Sequence, residues 1–165
     1  MNLAAAKILL VEDNRKMADL VRAVLNGLGV AHLAHLETAP AALQALDSAA
    51  FDLILLDRHL GEVDGLDLAR QIRRHRRAAV AETPIVMLTG SASAESVRAA
   101  RDAGVNGYLV KPFTVVAVHE RLVATLSHRP PFIRSATYIG PDRRRRRDPA
   151  FTGAERRRAG RASAR

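Results

Sequence analysis

The run Leu53-Ile54-Leu55-Leu56 is four consecutive large apolar residues that stop at a carboxylate, Asp57. A strand buried on one face alternates apolar and polar side chains. An unbroken apolar run of this length fits a strand covered on both faces, as in a parallel sheet. The pattern recurs along the chain. Lys7-Ile8-Leu9-Leu10-Val11 ends in Glu12-Asp13, Ile85-Val86-Met87-Leu88 ends at Thr89, and Gly107-Tyr108-Leu109-Val110 ends at Lys111-Pro112. Val30 to Leu36 is a shorter and weaker strand candidate.

Helical spacing fills the intervals. Residues 14–28 put Met17, Leu20, Val21, Val24, Leu25 and Leu28 on one face, with Asp13 or Asn14 as a cap. Thr38-Ala39-Pro40 reads as a helix start, with Leu43 and Leu46 facing inward. Further helices are expected from about Leu66 to Arg76, from Ala94 to Ala103 before Gly104, and over 114–126 with Val115, Val118, Leu122 and Leu126 inward. Five strand–helix alternations joined by short loops predict an α/β fold. It is a doubly wound five-stranded parallel sheet with helices on both faces.

The charge is unevenly placed. Residues 1–127 carry 14 Lys and Arg against 14 Asp and Glu, whereas 128–165 carry 12 Arg against 3 acids, so the whole net charge of +9 belongs to the last 38 residues. This predicts a neutral folded body, 1–127, and a basic extension, 128–165, that is extended or disordered. The extension holds the run Arg143–Arg147 and a few apolar residues, Phe132, Ile133, Tyr138 and Ile139. Three readings stay open for it: a solvated tail, a contact with a polyanion such as nucleic acid, or an arm anchored on the body or on a partner. With no helix-turn-helix pattern or zinc ligands, sequence-specific nucleic-acid recognition is not expected. The chain has no cysteine, which excludes disulfides and thiolate metal sites. No apolar run approaches the roughly 20 residues of a membrane span, and Met1 to Lys7 lacks the start of a secretion signal. A soluble cytoplasmic protein is expected.

Four of the buried strands deliver polar groups at their carboxyl ends: Glu12-Asp13, Asp57, Thr89 and Lys111. Open α/β sheets bind ligands at this edge. Each residue singly is explicable as a turn or cap residue; the set is a chemical device. Three clustered carboxylates repel unless some are protonated or a cation joins them. Oxygen ligands without His or Cys favour a hard ion such as Mg²⁺. A divalent ion, an ammonium and a hydroxyl can together grip the oxygens of a phosphoryl group. A carboxylate beside them can accept that group as an acyl phosphate.

At these spacings, Glu12-Asp13, Asp57, Asp64-Gly65, Pro84 to Thr89 and Tyr108 to Phe113 make residues 5–127 resemble the receiver domain of two-component response regulators. The resemblance implies a flavodoxin-like sheet with strand order 2-1-3-4-5. It implies that Asp57 takes a phosphoryl group from a histidine kinase or phosphotransfer protein. It assigns Mg²⁺ to Asp13, Asp57 and the backbone carbonyl of His59, with Glu12 contributing indirectly. Lys111 would contact the phosphoryl group, Thr89 and Tyr108 would form a switch pair, and His59 and Ser91 would border the phosphoryl group and influence its lifetime. For His59, a solvent-facing loop residue is the competing reading. Signalling would run through the face of the fourth helix, fifth strand and fifth helix, which could also pair two copies. The chain would then be a self-modifying signalling protein rather than an enzyme with a separate substrate. A phosphorylation-regulated nucleic-acid clamp is the alternative. The loop Leu60-Gly61-Glu62-Val63 departs from the family's Met-Pro-x-Met, and Gly61 gives up proline's rigidity. Arg73, Arg74, Arg76 and Arg77 are expected to be solvated beside a helix C-terminus, with a partner surface as the sharper reading.

Overall fold

The computed structural model describes residues 3–143. Five parallel strands, β1 (Lys7–Val11), β2 (His32–Leu36), β3 (Leu53–Asp57), β6 (Ile85–Thr89) and β7 (Gly107–Val110), form one sheet in the order β2-β1-β3-β6-β7. Two short strands, β4 (His59–Leu60) and β5 (Val63–Asp64), form a separate antiparallel ribbon after β3. With that ribbon set aside, the order is the expected 2-1-3-4-5. The weak candidate, β2, pairs along its whole length with β1, from Lys7↔His32 to Val11↔Leu36.

The central strands are buried on both faces because helices cover both. On one face Leu9, Val11, Ile54, Leu56, Ile85 and Met87 pack with α2 (Ala39–Ser48), α3 (Gly65–Arg73) and α5 (Ala94–Asp102). On the other, Ile8, Leu10, Leu53, Leu55, Val86, Leu88 and Leu109 pack with α1 (Arg15–Gly27) and α6 (Val115–Ser127). A short α4 (Ala78–Ala81) leads into β6. The caps are local. Asn14, Thr38, Ser93 and Thr114 each accept an N–H from the first turn of the helix that follows, and Asp64 does the same for α3. Two residues expected to face inward do not. Leu20 lies off the Ala18-Val21-Leu25 stripe and Val115 is the first residue of α6; both are exposed.

The basic cluster after α3 divides. Arg74, Arg76 and Arg77 are exposed, but Arg73 is 1% exposed, contrary to the expectation of solvation. Its Nε donates to the Gly104 carbonyl at 2.8 Å, Nη1 to the carbonyls of Ala81 and Thr83 at 2.7 Å each, and Nη2 to Asn106 Oδ1 at 2.8 Å. Asn106 Oδ1 also accepts from the Ile85 amide at 3.0 Å. Burial pulls the Arg73 pKa down to about 10, so the guanidinium stays charged at neutral pH. A planar group with five donors can satisfy several buried carbonyls at once, which an ammonium cannot.

Residues 132–143 are not a disordered extension. Strands β8 (Phe132–Arg134) and β9 (Ile139–Pro141) form an antiparallel hairpin that packs on the C-terminal ends of α3 and α5. The Phe132 ring centroid lies 5.8 Å from the Arg73 guanidinium. Tyr138 donates its hydroxyl to the Pro141 carbonyl at 2.8 Å, and Arg143 lies 3.6 Å from the Tyr138 ring centroid while pairing with Asp102. Two glycines let the backbones meet: a Cβ on Gly140 would stand 2.8 Å from Gly104 Cα, and one on Gly104 would stand 2.8 Å from the Ile139 carbonyl oxygen. Arg144 to Arg147 and the rest of the extension lie outside the described residues.

Candidate phosphoacceptor site

The carboxyl ends of β1 and β3 are neighbours across the sheet, with Val11 paired to Leu56. The next residues, Glu12, Asp13 and Asp57, therefore meet at one edge, each with a carboxylate oxygen within 4.8 Å of the others. Glu12 is 1% exposed and Asp57 6% exposed, while Asp13 is exposed. Lys111, delivered by the end of β7, reaches both buried carboxylates: Nζ lies 2.8 Å from Glu12 Oε2 and 3.0 Å from Asp57 Oδ1. Three carboxylates and one ammonium leave an excess of two negative charges when all are ionised. Burial holds the Glu12 carboxyl above its usual range, and Asp57 pushes it the same way against the pull of Lys111. Burial lowers the Lys111 pKa, but hydrogen bonds to Glu12 and Asp57 outweigh it, and the net shift is upward. A hard divalent cation is the group that this donor set and charge excess fit.

Backbone amides fix the acids. The Arg58 N–H donates to Asp57 Oδ1 at 2.7 Å and the Gly61 N–H donates to Asp13 Oδ2 at 2.8 Å. His35 Nε2 lies 2.8 Å from the Glu12 carbonyl, tying β2 to the same edge. Gly61 is the turn of the β4–β5 ribbon, with φ +59°. Proline could neither adopt that angle nor supply that N–H, so the departure from the family's loop gives Asp13 a hydrogen-bond donor. Gly65 is required by close approach. A Cβ there would stand 2.0 Å from the Asp57 carbonyl oxygen, and its own N–H bonds the Arg58 carbonyl at 2.8 Å.

Thr89 is buried at the end of β6, where its hydroxyl accepts from the Ser91 amide at 3.2 Å and lies 3.3 Å from the Ser91 carbonyl oxygen. It is thus engaged with its own loop. Ser91 is exposed, and its Oγ lies 3.3 Å from Ser96 Oγ. His59 is exposed on the β4–β5 ribbon, opposite Asp64. Tyr108 on β7 is half-buried, with its ring centroid 5.8 Å from the Arg121 guanidinium of α6. The structure thus brings Glu12, Asp13, Asp57 and Lys111 together, and sets Thr89 and Tyr108 on adjacent strands beside them. Sequence reading gave no role to Arg58, whose guanidinium pairs with Asp64, and put Arg73 in a solvated cluster or on a partner surface. For Arg73 the signal was present: Leu66, Ala69 and Arg73 share one helical face, so its position belongs to the buried stripe.

The comparisons agree with this geometry. Residues 8–123 match the response regulator receiver domain. The chain is 34% identical over 116 residues to the chemotaxis protein CheY of Pseudomonas aeruginosa, covering 70% of this chain and 92% of that protein. Among solved structures, the chemotaxis response regulator CheY4 of Vibrio cholerae superposes with a TM-score of 0.67 at 28% identity, over 73% of this chain and 98% of that one. The receiver domain of a sensor histidine kinase from Pseudomonas aeruginosa, solved with a magnesium ion in its active-site cleft, gives 0.67 at 29% identity, over 74% and 98%. Receiver domains bind Mg²⁺ in an acidic site such as the one formed here by Glu12, Asp13 and Asp57. No helix among the described residues is long and apolar enough to cross a membrane. With its sheet order, its acidic edge and these similarities, the chain belongs to the response regulator receiver domain family.

Proposed function

We propose that this protein accepts a phosphoryl group on Asp57 from a phosphohistidine donor, with Mg²⁺ bound, and signals by protein–protein contact or by passing the group on. The observation that carries the reading is the Lys111 ammonium bridging Glu12 and Asp57 at 2.8 and 3.0 Å within a three-carboxylate cluster. Asp13, Asp57 and the His59 carbonyl would hold the ion, with Glu12 acting indirectly. The ion would offset the charge of the incoming phosphoryl oxygens. The Arg58 N–H and Lys111 both occupy Oδ1 of Asp57, which leaves Oδ2 as the nucleophile. The P–O bond to Asp57 forms as the donor's P–N bond breaks, and the imidazole leaves with a proton from solvent. Lys111 then has a phosphoryl oxygen to hold in place of a carboxylate.

The readout follows from Thr89. Its hydroxyl is spent on the Ser91 backbone at rest, and a phosphoryl oxygen is a stronger acceptor. Thr89 leaving that ring would move the β6–α5 loop and vacate space for Tyr108 beneath it. The affected surface is α5, β7 and α6, the face on which a target or a second copy would dock. His59 and Ser91, both exposed, would border the phosphoryl group and control water reaching the acyl phosphate.

The test is incubation with Mg²⁺ and acetyl phosphate, followed by intact-mass measurement. One added phosphate is expected, and none in Asp57→Asn. Label that persists in Asp57→Asn would end this reading. The nucleic-acid alternative rests chiefly on residues 144–165, outside the described residues; among the described ones, Arg143 is already engaged by Asp102 and Tyr138.

A further inference from the structure

Arg58, the residue after the phosphoacceptor, is assigned no part in the reaction above beyond its backbone. Its main chain is held at three points: the N–H lies 2.9 Å from the Leu88 carbonyl and 2.7 Å from Asp57 Oδ1, and the carbonyl accepts from Gly65. The side chain leaves on the same sheet face as Leu56 and Met87. Its guanidinium pairs with Asp64, the residue that caps α3 by accepting the Leu66 N–H at 2.7 Å. On the way it lines a small void bounded also by Met87, Thr89, Val97, Ala100 and Tyr108. The void holds about 10 Å³, room for no more than one water. The ring centroid of Tyr108, which shares that lining, is 5.8 Å from the Arg121 guanidinium.

Resting on the phosphoacceptor reading, we propose that Arg58 is a positioning residue of the switch: tied back to Asp64, it fills the slot into which the Tyr108 ring would turn and holds that ring out against Arg121. Of the two arginines, Arg58 is the inner, lining the void with Tyr108, and Arg121 lies 5.8 Å from the ring centroid. The inner one must be displaced before the ring can enter, because the slot has space for a water and not for a phenol. The Arg58–Asp64 pair resists that displacement. Phosphorylation therefore has to work against the plug, and the plug keeps the unphosphorylated chain off.

Fluorine NMR of protein labelled with 3-fluorotyrosine tests this, since the chain has two tyrosines and Tyr138, which does not line the slot, gives the second signal. In Arg58→Ala, the Tyr108 signal is expected to shift toward its Mg²⁺–beryllofluoride position before beryllofluoride is added, and beryllofluoride to bind about fivefold tighter. Arg58→Met keeps the length but loses the ion pair to Asp64, and is expected to shift the resting signal by less than Arg58→Ala. Asp64→Asn keeps a helix-capping residue but loses the ion pair, and is expected to move the signal the same way as Arg58→Ala, by less. A merely structural arginine would lower the melting temperature on removal without tightening beryllofluoride binding. An unmoved Tyr108 signal in both Arg58→Ala and Asp64→Asn overturns the proposal. Wild type that fails to respond to beryllofluoride would count against the phosphoacceptor reading, while the resting Tyr108 signal would still decide the role of Arg58.

Discussion

The Lys111 ammonium, delivered from the end of β7, lies 3.0 Å from Oδ1 of Asp57. It contacts both buried acids, and in the proposed function it would join acceptor and readout. In Lys111→Ala with Mg²⁺ present, the fold is expected to persist, because the ion offsets the carboxylates and Glu12 can take up a proton. Asp57 is expected still to gain a phosphate from acetyl phosphate. Amide exchange over residues 94–127 is expected to stay at the unphosphorylated level, because nothing then fixes the phosphoryl oxygens relative to β7. Wild-type exchange changes in the phosphorylated variant would show that Lys111 does not carry the signal.

Metal removal has a pH signature. Glu12 ionises less readily folded than unfolded, first through burial and then through Asp57. Its folded pKa is raised, so the folded state binds more protons in that window. Its contribution to stability is present below the ordinary value of 4.5 and is lost as pH rises through the folded value. Without Mg²⁺, the melting temperature of wild type relative to Glu12→Gln is therefore expected to fall as pH rises from 4.5 toward neutrality. Added Mg²⁺ is expected to stabilise wild type increasingly over that range, since ion and proton compete for the same charge. A Mg²⁺ gain that does not vary with pH would contradict this.

The glycine in the Asp64-Gly65 pair is a steric requirement. A methyl at Gly65 would stand 2.0 Å from the Asp57 carbonyl and 3.2 Å from Arg58 Cα. Gly65→Ala must displace backbone at the end of β3, at a cost of about 1–3 kcal/mol. It is expected to slow phosphorylation as well, because the Asp57 carboxylate moves with that backbone. Gly90→Ala is the control. Nothing lies within 4 Å of the added methyl there, and a change within about 0.5 kcal/mol is expected. Urea melts and acetyl phosphate labelling of the two variants separate a local effect of Gly65 from a general effect of adding a methyl.

Much of this was legible in the amino-acid sequence, for definite reasons. Continuous apolar runs encode burial on both faces, and the residue that ends each run must lie at the carboxyl edge, so Asp57, Thr89 and Lys111 were readable without coordinates. What escaped was side-chain destination. Arg73 sits among four arginines within five positions, and composition cannot tell the one that turns inward from those that do not. Arg58 in a loop gives no hint of its pairing with Asp64. The hairpin of 132–141 was hidden because its few apolar residues have no period, and it is docked through contacts such as Phe132 on Arg73 and Gly140 on Gly104 that no sequence pattern announces.

That hairpin and Arg73 meet at the Phe132 ring, and both can be probed at one residue. Arg73→Met keeps a stem of similar length but leaves the carbonyls of Ala81, Thr83 and Gly104 without this donor and the Asn106 amide oxygen with the Ile85 N–H alone. Hydrogen bonds from a charged donor to buried acceptors are costly to lose, and a destabilisation of about 3 kcal/mol or more is expected. For a chain of this size that is a fall of roughly 6–12 °C in melting temperature. Arg73→Lys is expected to recover little, because one ammonium cannot reach acceptors spread across a planar fork. Tyr138→Phe loses one bond, to Pro141, and is expected to cost about 1 kcal/mol. In Arg73→Met the hairpin amides are also expected to exchange faster than in wild type, since Phe132 keeps Arg134 but loses Arg73, the cation that joins its ring to α3. Unchanged stability together with unchanged hairpin exchange in Arg73→Met would mean that the hairpin is held by its apolar contacts and the Arg143–Asp102 pair instead.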